Sequence, residues 1–211
     1  LDAACLDLAR QRVPGVPTSA RAALFCEQEV NSAIDEDEHL SAWWQLLTEA
    51  GAMADDTLVT TDDAGRAELH ALRHAIPAGI NERVVRNGMP KIGTDLAVPD
   101  GALAEMMDLY EAAPGEHLTF GHIGDNHLHL NMLPTNPDEL EAAKRYYDLL
   151  ARRAIELGGT VSAEHGIGKT KRHYLEWMVG SEVMDAFRAL KAHLDPANVL
   201  GRGNILPTMT S

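Results

Sequence analysis

The chain has 211 residues, 45% hydrophobic and 24% charged, the balance of an ordinary globular protein long enough to bury a core. No apolar run approaches the roughly 20 residues that span a bilayer. A formal net charge of −14 repels phosphate backbones and anionic lipid, which excludes nucleic acid as the expected partner. Two cysteines, Cys5 and Cys26, are too few to staple a fold, so buried free thiols in a reducing compartment are expected. The chain opens at Leu1 without a basic stretch leading an apolar one; no signal peptide is read, and a start inside a longer protein is expected.

Strand-like and helix-like segments alternate. Residues 23–30 have a strand's mixture, and 36–50 place Leu40, Trp43, Trp44 and Leu47 at helical spacing. The acidic block Asp35, Glu36, Asp37 and Glu38 reads as the solvated start of that helix. Residues 58–60 form a short strand candidate, and Asp62 or Asp63 caps a long helix through Arg73. Residues 91–99 read as a strand, followed by a helix marked by Leu103, Met106, Met107 and Tyr110.

Residues 117–133 read as a strand interrupted at the turn-prone Gly124, Asp125 and Asn126. Asn136-Pro137 opens a helix whose inner face is Leu140, Ala143, Tyr147, Leu150, Ala154 and Leu157, and Gly158-Gly159 ends it. A short strand at 160–163 leads into Glu164-His165-Gly166-Ile167-Gly168. Ser181 caps a last helix expected to turn Val183, Phe187, Leu190 and Leu194 inward. This order predicts an α+β fold: an antiparallel, ferredoxin-like sheet covered by helices, with a C-terminal helical segment.

Six of the ten histidines fall between His117 and His173, three of them in one octapeptide, His122, His127 and His129. A metal site needs neutral imidazoles and carboxylates brought together. His122 and His129 are seven apart and would face opposite sides of a straight strand, but a hairpin at Gly124-Asp125 folds one back towards the other. His127 and His129, two apart, form a competing pair. Glu164 is the candidate third ligand, and such a set leaves positions open for substrate. Gly168-Lys169-Thr170 lacks the glycine a phosphate loop needs at Ala163, so a nucleotide-hydrolysing loop is not read. Arg73 and Lys91 are cations available to an anionic substrate.

Three segments carry a resemblance: Gly121-His122-Ile123-Gly124-Asp125-Asn126-His127-Leu128-His129-Leu130-Asn131, Gly159 through Lys169, and Leu194 through Leu200. The sequence resembles the C-terminal FAD-linked oxidase domain of the D-lactate dehydrogenase, glycolate oxidase and D-2-hydroxyglutarate dehydrogenase family, within the vanillyl-alcohol oxidase superfamily. The likeness is strong over 117–206 and looser over 20–116. It implies that His122, His129 and Glu164 hold a divalent metal (zinc, manganese or iron) and that His165 is the catalytic base. It also implies that Arg73, Lys91, Asn131 and His165 contact substrate.

Two departures stand out. Asn126-His127 replaces the family's Gly-Asn, adding an imidazole that competes as ligand. Gly201-Arg202-Gly203-Asn204 replaces its Asn-Pro-Gly-Lys. The resemblance makes residues 1–211 the substrate- and metal-binding cap domain, with FAD bound mainly by an N-terminal domain outside this chain. It implies oxidation of a small 2-hydroxy acid and an electron acceptor, and it allows a homodimer. The expected compartment is the cytoplasm, a membrane-peripheral place for the whole enzyme being left open. Two rivals remain: a metal-dependent hydrolase and a non-catalytic ligand-binding module.

Overall fold

The computed structural model describes residues 1–29 and 36–207, so Val30 and Asp35 of the segments read above lie outside the described residues. The chain divides into two compact units, Leu1–Glu82 and Arg83–Ser211.

In the first unit, α1 (Ala3–Arg10) is started by Asp2, whose carboxylate accepts the Cys5 N–H at 2.8 Å, and it buries Cys5, Leu6, Leu8 and Ala9. α2 (Glu36–Glu49) forms where the spacing predicts it, but Leu40 and Trp44 are exposed and Trp43 and Leu47 only half-buried. α3 (Asp63–Asn87), whose residues from Arg83 onward belong to the second unit, is capped by Asp62, which accepts the Gly65 N–H at 2.7 Å. It runs on past the expected end at Arg73 and through Pro77, which lacks the N–H that the Arg73 carbonyl would accept. Two expectations fail in this unit. Residues 23–29 and 58–60 hold no strand and are largely exposed, because strand-forming residues without a ladder partner do not make a strand. Cys26 is consequently exposed, whereas Cys5 is buried.

In the second unit the strand expected at 91–99 is β1 (Ile92–Gly93) and β2 (Leu96–Ala97), separated by Thr94 and Asp95. α4 (Leu103–Glu111), β3 (His117–His122), β4 (His127–Met132), α5 (Pro137–Glu156) and α6 (Arg172–Leu194) follow. β1 and β2 both pair antiparallel with β4 in one continuous register, from Ile92 opposite Met132 to Ala97 opposite His127. β3 pairs with the other edge of β4 through the predicted hairpin, closed by Asn126 in a left-handed conformation. A side chain at Gly121 would meet the His127 carbonyl at 2.4 Å, so these strands approach this closely only with glycine there.

The strand expected at 160–163 is reduced to one bridge, Thr160 with Ala97. Strand, helix, strand, strand, helix and bridge, with 92–97 lying between Thr160 and β4, is the ferredoxin-like order with its last strand nearly absent. The α+β expectation holds. α4 and α5 cover one face, where Leu96, Leu128, Leu130 and Met132 pack against Met106, Tyr110, Ala143, Tyr147, Leu150 and Ala154.

The ends of α5 follow from its sequence. The Asn136 side chain accepts the Glu139 N–H at 3.0 Å, and Pro137 occupies the first turn. At the other end Gly158, at φ 80°, lets its own N–H and that of Gly159 return to the Ile155 and Ala154 carbonyls. α6 is broken at Gly180 (φ 77°), in keeping with a helix starting at Ser181. Its expected inward stripe is exposed, Val183 at 40%, Phe187 at 38%, Leu190 at 56% and Leu194 at 70%, while Met184 is buried. Helical spacing names an apolar face, not the element that covers it. Among the described residues no helix is long and apolar enough to cross a membrane.

Candidate metal and substrate site

Alternation along β4 sends Leu128, Leu130 and Met132 to the helices and His127, His129 and Asn131 to the opposite face, all of them buried. The hairpin register places His122 opposite His127 and so on that same face. The fold-back that a straight strand would forbid is therefore made by the turn.

The break between β1 and β2 orients His129. Thr94 donates its N–H to the Leu130 carbonyl at 2.9 Å, and in a regular ladder the Thr94 carbonyl would accept the Leu130 N–H in return. Instead the Leu130 N–H goes to Thr94 Oγ1 at 3.0 Å, and the Thr94 carbonyl faces His129 Nδ1 at 2.9 Å. A carbonyl only accepts, so Nδ1 carries the proton and the lone pair of a neutral His129 is on Nε2.

That Nε2 lies 2.9 Å from Glu164 Oε1. His165 Nε2 is 3.2 Å from the same oxygen, and His122 Nε2 is 3.6 Å from Glu164 Oε2. A lone pair aimed at a carboxylate oxygen is repulsive unless a positive charge lies between them, and a divalent cation or added protons supply it. The donor set therefore fits a metal: imidazole nitrogens and one carboxylate, with side chains 47% (His122), 42% (Glu164) and 58% (His165) exposed, open on one side. The tightest group is His129, Glu164 and His165, with His122 slightly farther out. Burial alone would raise the Glu164 carboxyl, but where protons rather than a metal supply the charge, the contact with a protonated His129 and the neighbouring imidazoles together hold it below its ordinary value.

His127 points elsewhere. Its Nε2 lies 3.2 Å from Asp95 Oδ1, without the alignment of a hydrogen bond, and burial pushes the imidazole towards its neutral form. Asp95, 1% exposed, accepts from Lys171 Nζ at 2.7 Å, Ser162 Oγ at 3.0 Å, and the Glu164 and His165 N–H groups at 3.1 Å each. Burial would raise its carboxyl, yet these donors, Lys171 foremost, outweigh that and hold it at about 2.

Farther along the same face, Lys91 Nζ donates to Asn131 Oδ1 at 2.7 Å. Lys91 as a residue is exposed, but its ammonium end is partly buried, and that burial lowers its pKa. Arg73 is exposed on α3, in the first unit. Of the residues singled out in the sequence, the second unit thus gathers His122, His129, Glu164 and His165, with Asn131 and Lys91 adjacent. Asp95, Ser162 and Lys171 were missed. The available signal for Asp95 was an aspartate in the middle of a segment read as a strand, where that residue is rare.

The family described as FAD linked oxidases, C-terminal domain, matches residues 1–205. The chain belongs to this family. It is 32% identical over 202 residues to a glycolate oxidase subunit GlcD of Bacillus subtilis, covering 90% of this chain and 40% of that protein. It is 32% identical over 187 residues to a D-2-hydroxyglutarate dehydrogenase of Xanthomonas citri (84% and 39%). To a probable mitochondrial D-lactate dehydrogenase of Danio rerio it is 30% identical over 176 residues (81% and 35%). The chain therefore spans about two fifths of the length of the curated relatives it matches.

Proposed function

We propose that this chain is the substrate- and metal-binding part of an FAD-dependent dehydrogenase. The enzyme oxidises a D-2-hydroxy acid of the D-lactate, glycolate or 2-hydroxyglutarate type to the 2-oxo acid. The observation that carries the reading is the convergence of His122, His129 and His165 Nε2 on the Glu164 carboxylate. His122, His129 and Glu164 are assigned as the metal ligands on the family resemblance, supported by the approach of both imidazole Nε2 atoms to the Glu164 carboxylate. His165, whose side chain is 58% exposed beside Glu164, is assigned as the base on the family resemblance.

When bound, a divalent ion supplies the charge that acidifies a 2-hydroxyl, and a flavin supplies the hydride acceptor. His165 would take the proton of the 2-hydroxyl as the substrate is oxidised. Asn131, two residues beyond His129 on the same face, and Lys91, which donates to it, address the substrate's polar end. Arg73 is proposed for a substrate carboxylate on the family resemblance alone, by a bidentate contact.

Calorimetric titration of the chain with Zn²⁺, beside His129→Ala, tests the ligands: one site is expected in the parent and none of comparable affinity in the variant. In the full-length flavoprotein, anaerobic addition of D-2-hydroxy acids should bleach the flavin. No bleaching by any member of the series would refute the activity.

A further inference from the structure

We infer that Asp95 is a positioning residue: a buried carboxylate, neutralised by Lys171, that grips by its backbone the segment carrying Glu164 and His165. The inference rests on the roles proposed above for that pair.

After the single bridge at Thr160 the chain leaves the sheet, so the N–H groups of the next residues have no ladder. Asp95 stands in for one. Its backbone carbonyl accepts the Ala163 N–H at 3.1 Å. Its carboxylate accepts from Ser162 Oγ and from the Glu164 and His165 N–H groups. Each residue from Ser162 to His165 is thus tied to one strand residue. Four donors converge on this carboxylate, three on Oδ2 and the Glu164 N–H on Oδ1; an amide in its place has a single oxygen and turns an NH₂ towards at least one of them. Lys171 makes a buried charge tolerable, with Nζ at 2.7 Å from Asp95 Oδ2 and 3.4 Å from Ser162 Oγ.

The same pairing argues against a second metal at Asp95, His127 and His129, although their ligand atoms lie within 4.8 Å of one another. The ammonium already neutralises the carboxylate, His129 Nδ1 is held by the Thr94 carbonyl, and its Nε2 faces Glu164 rather than Asp95. The strand break therefore holds the site from two sides. The Thr94 carbonyl orients His129, and the Asp95 carboxylate orients Glu164 and His165.

The test compares amide hydrogen exchange by NMR and Zn²⁺ affinity in the parent chain, Asp95→Asn, and Asp95→Asn/Lys171→Met. The double variant removes the unpaired buried ammonium, so it remains informative if the single variant fails to fold. Its melting temperature is expected near the parent's. Exchange at the Glu164 and His165 amides should rise at least about tenfold while Leu128 and Leu130 stay protected, and the Zn²⁺ Kd should rise about 10–100-fold, as for outer partners of metal ligands. A folded double variant with parental protection at Glu164 and His165, or with a Kd within about twofold, overturns the inference. If the parent itself binds no Zn²⁺, the ligand assignment falls, and the exchange comparison still decides the role of Asp95.

Discussion

Thr94→Val changes a hydroxyl for a methyl of nearly the same shape at a residue 1% exposed. The hydroxyl accepts the Leu130 N–H at 3.0 Å, which leaves the Thr94 carbonyl to His129 Nδ1, and it donates to the Leu128 carbonyl at 3.5 Å. Without it, either the Leu130 N–H is buried with no acceptor, or the Thr94 carbonyl turns back to it and releases His129. The first outcome costs about 1–3 kcal/mol, a fall in melting temperature of about 2–12 °C for a chain of this size. The second removes the partner that fixes the tautomer of the imidazole proposed as a metal ligand, and Zn²⁺ affinity should drop about 10–100-fold. Thermal melts followed by circular dichroism and calorimetric Zn²⁺ titration read the two separately, and Thr94→Ser, which keeps the hydroxyl, should restore affinity. A Thr94→Val protein with parental stability and parental Zn²⁺ affinity would refute the account of the strand break.

In the full-length flavoprotein, Glu164→Gln should weaken metal binding and lose activity that excess metal partly restores by mass action. His165→Ala should keep the metal and slow flavin reduction about 10²–10⁴-fold at saturating substrate; the reverse pattern would exchange the two roles. The Asp95 carboxyl sits at about 2 in the fold against an ordinary 3.8, so the unfolded chain binds its proton first as pH falls. The stabilisation, about 2 kcal/mol, is complete above about pH 4 and is lost as pH falls through 2. Acid titration of stability should show this limb flattened in Asp95→Asn/Lys171→Met. Leu150→Ala empties a fully buried position between α5 and the sheet and should cost about 2–5 kcal/mol in urea denaturation, with the histidine face unaffected.

Local signals were legible in the residues themselves. Asn136-Pro137 and Gly158-Gly159 bound α5, and its stripe from Ala143 to Ala154 is the buried face, because caps, first-turn proline and helical spacing act within a few residues. The hairpin at Gly124-Asp125 and the gathering of His122, His129, Glu164 and His165 follow from short motifs of the same kind, aided by the family resemblance. Tertiary structure decided what depends on partners distant in sequence. Residues 23–29 and 58–60 look like strands, but they lack a ladder to join. The stripe Val183, Phe187, Leu190 and Leu194 is as regular as that of α5, yet it lies exposed. His127 and His129 are equivalent in spacing, and only the position of Asp95 on one side and Glu164 on the other turns their Nε2 atoms to different carboxylates. Asp95 itself gains its meaning from donors about 70 residues away, since a carboxylate's role is set by the donors that the fold brings within 3 Å or so.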